Sequence, residues 1–278
     1  MPSIDLSQAF TAAGLAPQLL SQFLGGVVPL TGAERRTIVE QALLLMEEVY
    51  VHLPLKRAMH AVDPVQRLRL LRHRLDLVDD RAFHEEMIST FMGVRDLHTN
   101  YILPDPYNRT TAFLPFQVRE FFREGVPIYI VGGVLQGLEH PTFKPGVRVT
   151  HMNGVPIARA VALNARRHAG SNAAANHARG LERLTFRPLM MSLPPDEEWA
   201  DIRYNAADGT VQELRFNWLA YTQPASLTQG GAALSVTNPK NRWLFAQGVD
   251  IQTEAVNEVK KRLFARERVE IEAAVLAY

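Results

Sequence analysis

The sequence predicts an α+β protein: a helical amino-terminal region, a β-rich stretch with helices inserted, then a linker and a terminal helix. Three observations carry this reading. Helix-capping signals followed by apolar residues at helical spacing fill the first hundred positions. After Gly93, short strand-like segments alternate with Gly-containing turns. From Pro224 to Asn241 the chain turns rich in Gly, Ser, Thr, Gln and Asn before one last amphipathic stretch. The corresponding divisions are residues 1–100, 101–220 and 221–278.

The first helix signal is Thr31-Gly32-Ala33-Glu34, a capping box in which Thr31 accepts an orphan amide and Glu34 reaches back. Behind it Ile38, Val39, Ala42, Leu43, Met46, Val49 and Tyr50 keep helical spacing. Asp63-Pro64 starts a second helix, a carboxylate cap followed by a proline whose missing N–H costs nothing in the first turn. Its stripe is Leu68, Leu71 and Leu75. Arg67, Arg69, Arg72 and Arg74 are expected on a solvated face flanked by Asp76, Asp79 and Asp80. A third helix near Arg81 to Met92 places Phe83, Met87, Phe91 and Met92 in a core.

Tyr101-Ile102-Leu103 opens the β-rich stretch. Phe113 to Phe122 and Pro127 to Val134 read as strands joined by a turn at Arg123-Glu124-Gly125. Val147 to Met152 runs into Asn153-Gly154, the strongest short hairpin signal because both residues tolerate positive φ. Ala173 to Leu184 reads as a helix. Trp199 to Tyr204 and Val211 to Trp218 flank Ala206-Ala207-Asp208-Gly209 as a second hairpin. Glu254 to Arg268, with Val256, Val259 and Leu263 on one side, reads as a short terminal helix.

Composition narrows the function classes. With 278 residues, 47% hydrophobic and 21% charged, the chain has the make-up of an ordinary globular protein able to bury a core. Its net charge of +1 gives no electrostatic case for nucleic acid or an anionic membrane. Zero cysteines exclude a disulfide scaffold, a thiolate zinc site and a cysteine nucleophile. The first cationic residue is Arg35, so the positive region that opens a signal peptide is missing. Pro17, Gly25, Gly26 and Pro29 break the apolar stretch from Leu15 to Leu30, far short of the roughly 20 apolar residues a spanning helix needs. A cytoplasmic location is therefore expected, or a periplasmic or secreted one if the chain has been trimmed.

Gly-rich phosphate loops, G-x-S-x-G elbows and His-Glu-x-x-His helices are absent. His84-Glu85-Glu86 begins like a zinc-protease helix but has no second histidine one turn later, so His84 is expected on a wet helix face. His151 and His168 share no metal-ligand spacing and are expected as scattered surface imidazoles. Asn108-Arg109-Thr110 fits a glycosylation acceptor, a triplet common in any polar loop. No cofactor and no metal are implied. His98 stands apart, within Arg95-Asp96-Leu97-His98-Thr99-Asn100-Tyr101, where helices hand over to strands. A histidine there serves either as a structural, hydrogen-bonded residue or as a general base with a fixed tautomer and an open nitrogen.

Val94-Arg-Asp-Leu-His-Thr-Asn-Tyr101 resembles the L-x-D-x-H-T/S-x-Y stretch of the C-terminal-processing (tail-specific) serine peptidases, relatives of the tricorn core and the chlamydial secreted protease. In that family this stretch leads from a helical region into a PDZ-like domain. Phe113-Leu-Pro-Phe-Gln-Val118 and Ile128-Tyr-Ile-Val131 resemble its opening strands. Lys144-Pro-Gly-Val-Arg-Val-Thr-His-Met-Asn-Gly-Val-Pro-Ile157 is similar to its pGD-x-I-x-x-(I/V)-(D/N)-G-x-x-(V/I) signature, with Val147 where Asp is usual. Arg183 to Leu189, then Trp199 to Tyr204 and Leu214 to Trp218, resemble its closing part, so the resemblance spans about residues 85 to 220.

The resemblance implies a serine nucleophile in a later α/β domain beside a D-L-R-x-N-x-G-G turn. That turn is absent from this sequence, and neither Ser171 nor Ser226 has suitable surroundings. The implied role is therefore the non-nucleophilic front part of a serine endopeptidase, without turnover of its own, serving substrate-tail recognition, regulation or dimerisation. In the histidine-using branch of the family, His98 matches the general base; in the lysine-using branch the stretch is not catalytic. Implied partners are unfolded or C-terminal peptide segments and a second copy in a homodimer. The rival readings are a stand-alone PDZ-like peptide-binding module and a structural assembly protein.

Overall fold

A computed structural model describes residues 16–96, 98–168, 172–223, 259–261 and 263–264. Within them the chain is α+β, with two antiparallel sheets and helices on either side of them in sequence. The linker expected from Pro224 and both serines considered above lie outside the described residues.

The helical part grows from its caps. Helix α1 (Leu20–Gly25) is short. Helix α2 (Gly32–Leu44) starts at the Thr31–Glu34 capping box and runs into a π-helical segment, Leu45–Val49. Helix α3 (Leu53–His60), not anticipated from the sequence, has Pro in its first turn and ends at Ala61 with φ 50°. In α4 (Pro64–His73) the Asp63 carboxylate accepts the Gln66 N–H at 3.1 Å. In α5 (Asp80–Gly93) Asp79 accepts the Ala82 N–H at 2.7 Å. Val39, Met46, Leu68, Leu71, Phe83, Met87 and Phe91 form one buried cluster, the stripe the spacing predicts. Arg69 and Arg74 are exposed as expected, but Glu47 and Glu86 supply their counter-charges, not the three aspartates.

The β part is two sheets sharing a core. The first has the order β1 (Gln18–Leu19), β10 (Leu219–Thr222), β2 (Thr110–Phe113), β7 (Phe186–Pro188). The second runs β3 (Phe116–Arg123), β4 (Val126–Val134), β5 (Arg148–Met152), β8 (Trp199–Asn205), β9 (Val211–Asn217), with β6 (Val155–Pro156) also on β5. The single strand read from Phe113 to Phe122 is in fact two. Phe113 closes β2 and Phe116 opens β3 in the other sheet. Pro115, which has no N–H to give a ladder, sits at the crossing. Trp218 makes the return crossing between β9 and β10. Leu114, Phe116, Phe143, Ile202, Phe216 and Trp218 are therefore buried in one core. Leu20 and Phe23 pack there too, so residues 18–25 belong with the strands although they precede the helices.

All three turns legible in the sequence form. Glu124 and Gly125 take φ 52° and 79°, Asn153 and Gly154 51° and 75°, and Gly209 in the turn between β8 and β9 takes 83°. Asn153 Oδ1 also accepts the Asp201 N–H at 2.8 Å, tying the turn to β8. A Cβ built on Gly154 would meet nothing within 4 Å, so any penalty there is purely one of backbone conformation. Gly154→Val is expected to cost about 1–3 kcal/mol, because a β-branched residue would be held at positive φ. Thermal melts of the two proteins check this; coincident curves would mean that the turn relaxes without cost.

Two helices complete the β part. Helix α6 (Ile157–Ala165), with Ile157, Val161 and Ala165 buried at i, i+4 and i+8, was not read from the alanine-rich sequence. Helix α7 (Ala173–Glu182) was, and Asn172 caps it by accepting the Ala175 N–H at 2.8 Å. The two cross closely: a Cβ on Gly180 would lie 2.6 Å from Ala165 Cβ and 2.7 Å from its Cα. Helix α7 packs alongside β3, which among the described residues pairs only with β4 and so forms a sheet edge there. Most of the terminal helix expected from Glu254 to Arg268, Val256 included, lies outside the described residues; Val259, Leu263 and Phe264 are buried against Phe113, Leu135 and Phe186.

Candidate functional site

His98 sits just past α5. The helix ends at Gly93, Val94 is fully buried, and Arg95 with φ 51° turns the backbone out of the helix. Asp96 then organises the turn. Its Oδ1 accepts the His98 N–H at 3.0 Å and its Oδ2 accepts the Tyr50 O–H at 2.9 Å. Lys56 Nζ reaches the Arg95 carbonyl at 3.2 Å, so α3 and the π-helical segment both hold this corner. Burial alone would raise the Asp96 carboxyl. The His98 amide, the Tyr50 hydroxyl and the nearby Lys56 and His98 charges outweigh it and leave the group below its ordinary value. The same contact, after burial, pushes the Tyr50 phenol up to about 12.

The imidazole itself faces solvent, its side chain 97% exposed. Its Nδ1 lies 3.9 Å from Asp96 Oδ1, beyond hydrogen-bond range but close enough for a small rotation to close the gap. The arrangement is a proton-accepting ring beside a carboxylate held from behind. It can take up and return a proton, and Asp96 can orient it.

Two histidine expectations are corrected. His84 is 2% exposed, not on a wet face. Its Nδ1 lies 2.9 Å from the Tyr101 hydroxyl and its Nε2 3.4 Å from Asp80, whose other oxygen accepts the Leu30 N–H. Burial lowers its pKa; Asp80 opposes the shift and Arg35 adds to it. The sequence misleads because α5 is covered on the His84 side by Tyr101 and Tyr107, both from the segment after the helix. His168 is 5% exposed rather than on the surface, buried beside Arg183 and Ser192. His151 is half-buried against Thr150.

A further contact escapes sequence reasoning. His177 on α7 places Nε2 at 3.0 and 2.9 Å from the two oxygens of Glu120 on β3. Burial, and then Glu120, raise the Tyr129 phenol on the neighbouring strand. These residues stand too far apart in the chain for any spacing rule to join them. Among the described residues no group of three or more His, Asp and Glu could hold a metal ion, and no helix is long and apolar enough to cross a membrane.

No protein-family profile matches this chain, and no curated protein does. Its fold is similar to solved structures of CPAF, the chlamydial secreted protease. Mature CPAF aligns with a TM-score of 0.53 at 16% identity, over 67% of this chain and 34% of that one. Mature CPAF complexed with lactacystin aligns with a TM-score of 0.51 at 15% identity, over 67% and 35%. The chain thus spans about a third of the length of the structures it matches. The likeness is one of fold.

Proposed function

We propose that this chain is the non-nucleophilic part of a serine endopeptidase of the tail-specific type, holding an extended substrate segment and supplying His98 as general base. The observation that carries the reading is the fold likeness, which sets two thirds of this chain against one third of a protease. Two features of the molecule support the roles. Among the described residues strand β3 is a sheet edge with α7 alongside, and an edge strand offers unpaired N–H and C=O groups to an extended peptide. A peptide entering there meets the His177–Glu120 contact, which is 40% exposed on the histidine side. The exposed imidazole of His98, with Asp96 behind it, is positioned to receive a proton from a hydroxyl brought from elsewhere.

Two readouts on the chain by itself test this reading. A fluorescein-labelled, reduced and carboxymethylated polypeptide is expected to bind saturably by anisotropy and to remain uncut. A fluorophosphonate, whose phosphorus is attacked by an activated serine oxygen with loss of fluoride, is expected to leave the intact mass unchanged. A stoichiometric adduct or new fragments would overturn the non-nucleophilic role. A flat anisotropy titration would overturn the tail-holding role.

A further inference from the structure

Between α5 and the pair α6–α7 lies a cleft of about 800 Å³, a volume typical of small-molecule sites. Its charge is lopsided. Arg67, Arg81, Arg95, Arg166, Arg167 and Arg187 line it, against only Glu85 and Asp196. Asp196 is shared by Arg81 and Arg167, while among the described residues Arg67 bonds only to Ser89. Among the described residues, Arg95 and Arg166 have no side-chain partner and stand exposed at the cleft.

Among the described residues three polar groups on the cleft wall are buried without partners, and two of them are donors. Arg187 is 7% exposed; its guanidinium reaches Asn164 Oδ1 at 3.3 Å and lies over the Trp218 ring, but its Nε–H meets no acceptor among the described residues. His168 is 5% exposed and lines the same cleft. Arg183 donates to its Nδ1 at 3.3 Å, so the ring proton sits on Nε2, and that N–H is unpartnered too. Burial, and then the charges of Arg183, Arg187, Arg167 and Arg179, push this imidazole down to about 2, so it stays neutral and keeps that tautomer. Asn176, also on the wall, has an unpartnered amide that can present either its oxygen or its nitrogen.

Buried donors are almost always satisfied, and guanidinium forks match the oxygens of phosphates and carboxylates. A cleft with surplus guanidiniums on its wall, backed by buried N–H groups that have no partner among the described residues, lacks one kind of group, an acceptor carrying negative charge. We propose that this cleft binds a small multivalent oxyanion, a compound bearing phosphate or carboxylate groups, with Arg187 and His168 at its floor and Arg95 and Arg166 at its mouth. Neither His98 nor a β3 residue lines this cleft, although Arg95 at its mouth belongs to the turn before His98 and α7 borders both the cleft and β3.

Calorimetric titration of the chain with pyrophosphate and, separately, with citrate tests the proposal and distinguishes the two oxyanion chemistries. One of them is expected to bind at one site per chain and to raise the melting temperature, since a ligand of the folded state alone stabilises it. Arg166→Gln, at the exposed mouth, is expected to weaken that binding by about tenfold, as loss of a charge-assisted contact does. Arg187→Lys removes the fork and the Nε–H and is expected to weaken it further. If that buried change unfolds the chain, Arg166→Gln still decides. Arg123→Gln at the β3–β4 turn, a residue that does not line the cleft, is the control and should leave binding unchanged. No saturable heat with either anion would overturn the proposal, as would equal weakening by Arg166→Gln and Arg123→Gln, which marks diffuse attraction rather than a site.

Discussion

Phe143→Ala is expected to cost about 3–5 kcal/mol, a large share of the total stability of a domain this size. Phe143 is 1% exposed, and its ring packs 5.1 Å from Phe116, 4.9 Å from Phe216 and 5.0 Å from Tyr204, measured between centroids. Those three rings come from β3, β9 and β8, so the residue joins opposite ends of the six-stranded sheet. Its backbone is held as well. His140 Nδ1 accepts the N–H of Phe143 at 3.0 Å, and Thr142 bonds to the Tyr204 hydroxyl at 2.8 Å. The loop therefore cannot easily collapse into the space vacated, which places the cost toward the upper end of the range. Urea denaturation followed by tryptophan fluorescence measures it, because Trp218 lies in the same core. A midpoint equal to that of the parent would show that the ring cluster does not hold the sheet.

His98→Ala is expected to act in the opposite way, silent in stability and severe in activity. The side chain is almost wholly exposed and buries no apolar surface, while the turn around it is held by backbone groups and by Asp96. Its removal should leave the denaturation midpoint where it is, as changes at surface sites do. In the complete peptidase that the proposed function implies, the same change should lower kcat/KM by about 10²–10⁴-fold, the usual contribution of a positioned general base. Binding of unfolded polypeptide to the β3 edge should be unaffected. Undiminished hydrolysis by the His98→Ala enzyme would remove His98 from the mechanism. A marked loss of stability would return it to the structural role that a junction histidine can also play.

Much of the local structure is written in the sequence. The caps at Thr31, Asp63 and Asn172 form because a side-chain oxygen meets an orphan amide three residues on, a contact made within one turn. The Asn153-Gly154 turn forms for a similar reason, its positive φ values being affordable to those two residues. The strand from Trp199 shows its buried face in the sequence, with Ala200, Ile202 and Tyr204 inside and polar residues between them. Helix α6 was missed because alanines blur its apolar stripe, leaving Ile157 and Val161 as the clear markers.

The candidate site was legible only as a position. The sequence marks His98 as a junction residue, but its support from Tyr50 and Lys56 comes from elements some forty residues earlier. His84 and His168 were misplaced for the same reason: no local pattern tells a helix which of its polar faces a later segment will cover. By itself, then, the sequence determined the fold class, the starts of the capped helices, the tight turns and the burial alternation of individual strands, all settled by interactions a few residues apart. The tertiary structure alone decided the crossing of β2 into β3, the return of residues 18–19 to pair with β10, and the gathering of arginines from four elements around two buried donors. Those features depend on which surfaces meet across the core, and the free energy of such meetings belongs to pairs of residues far apart in the chain.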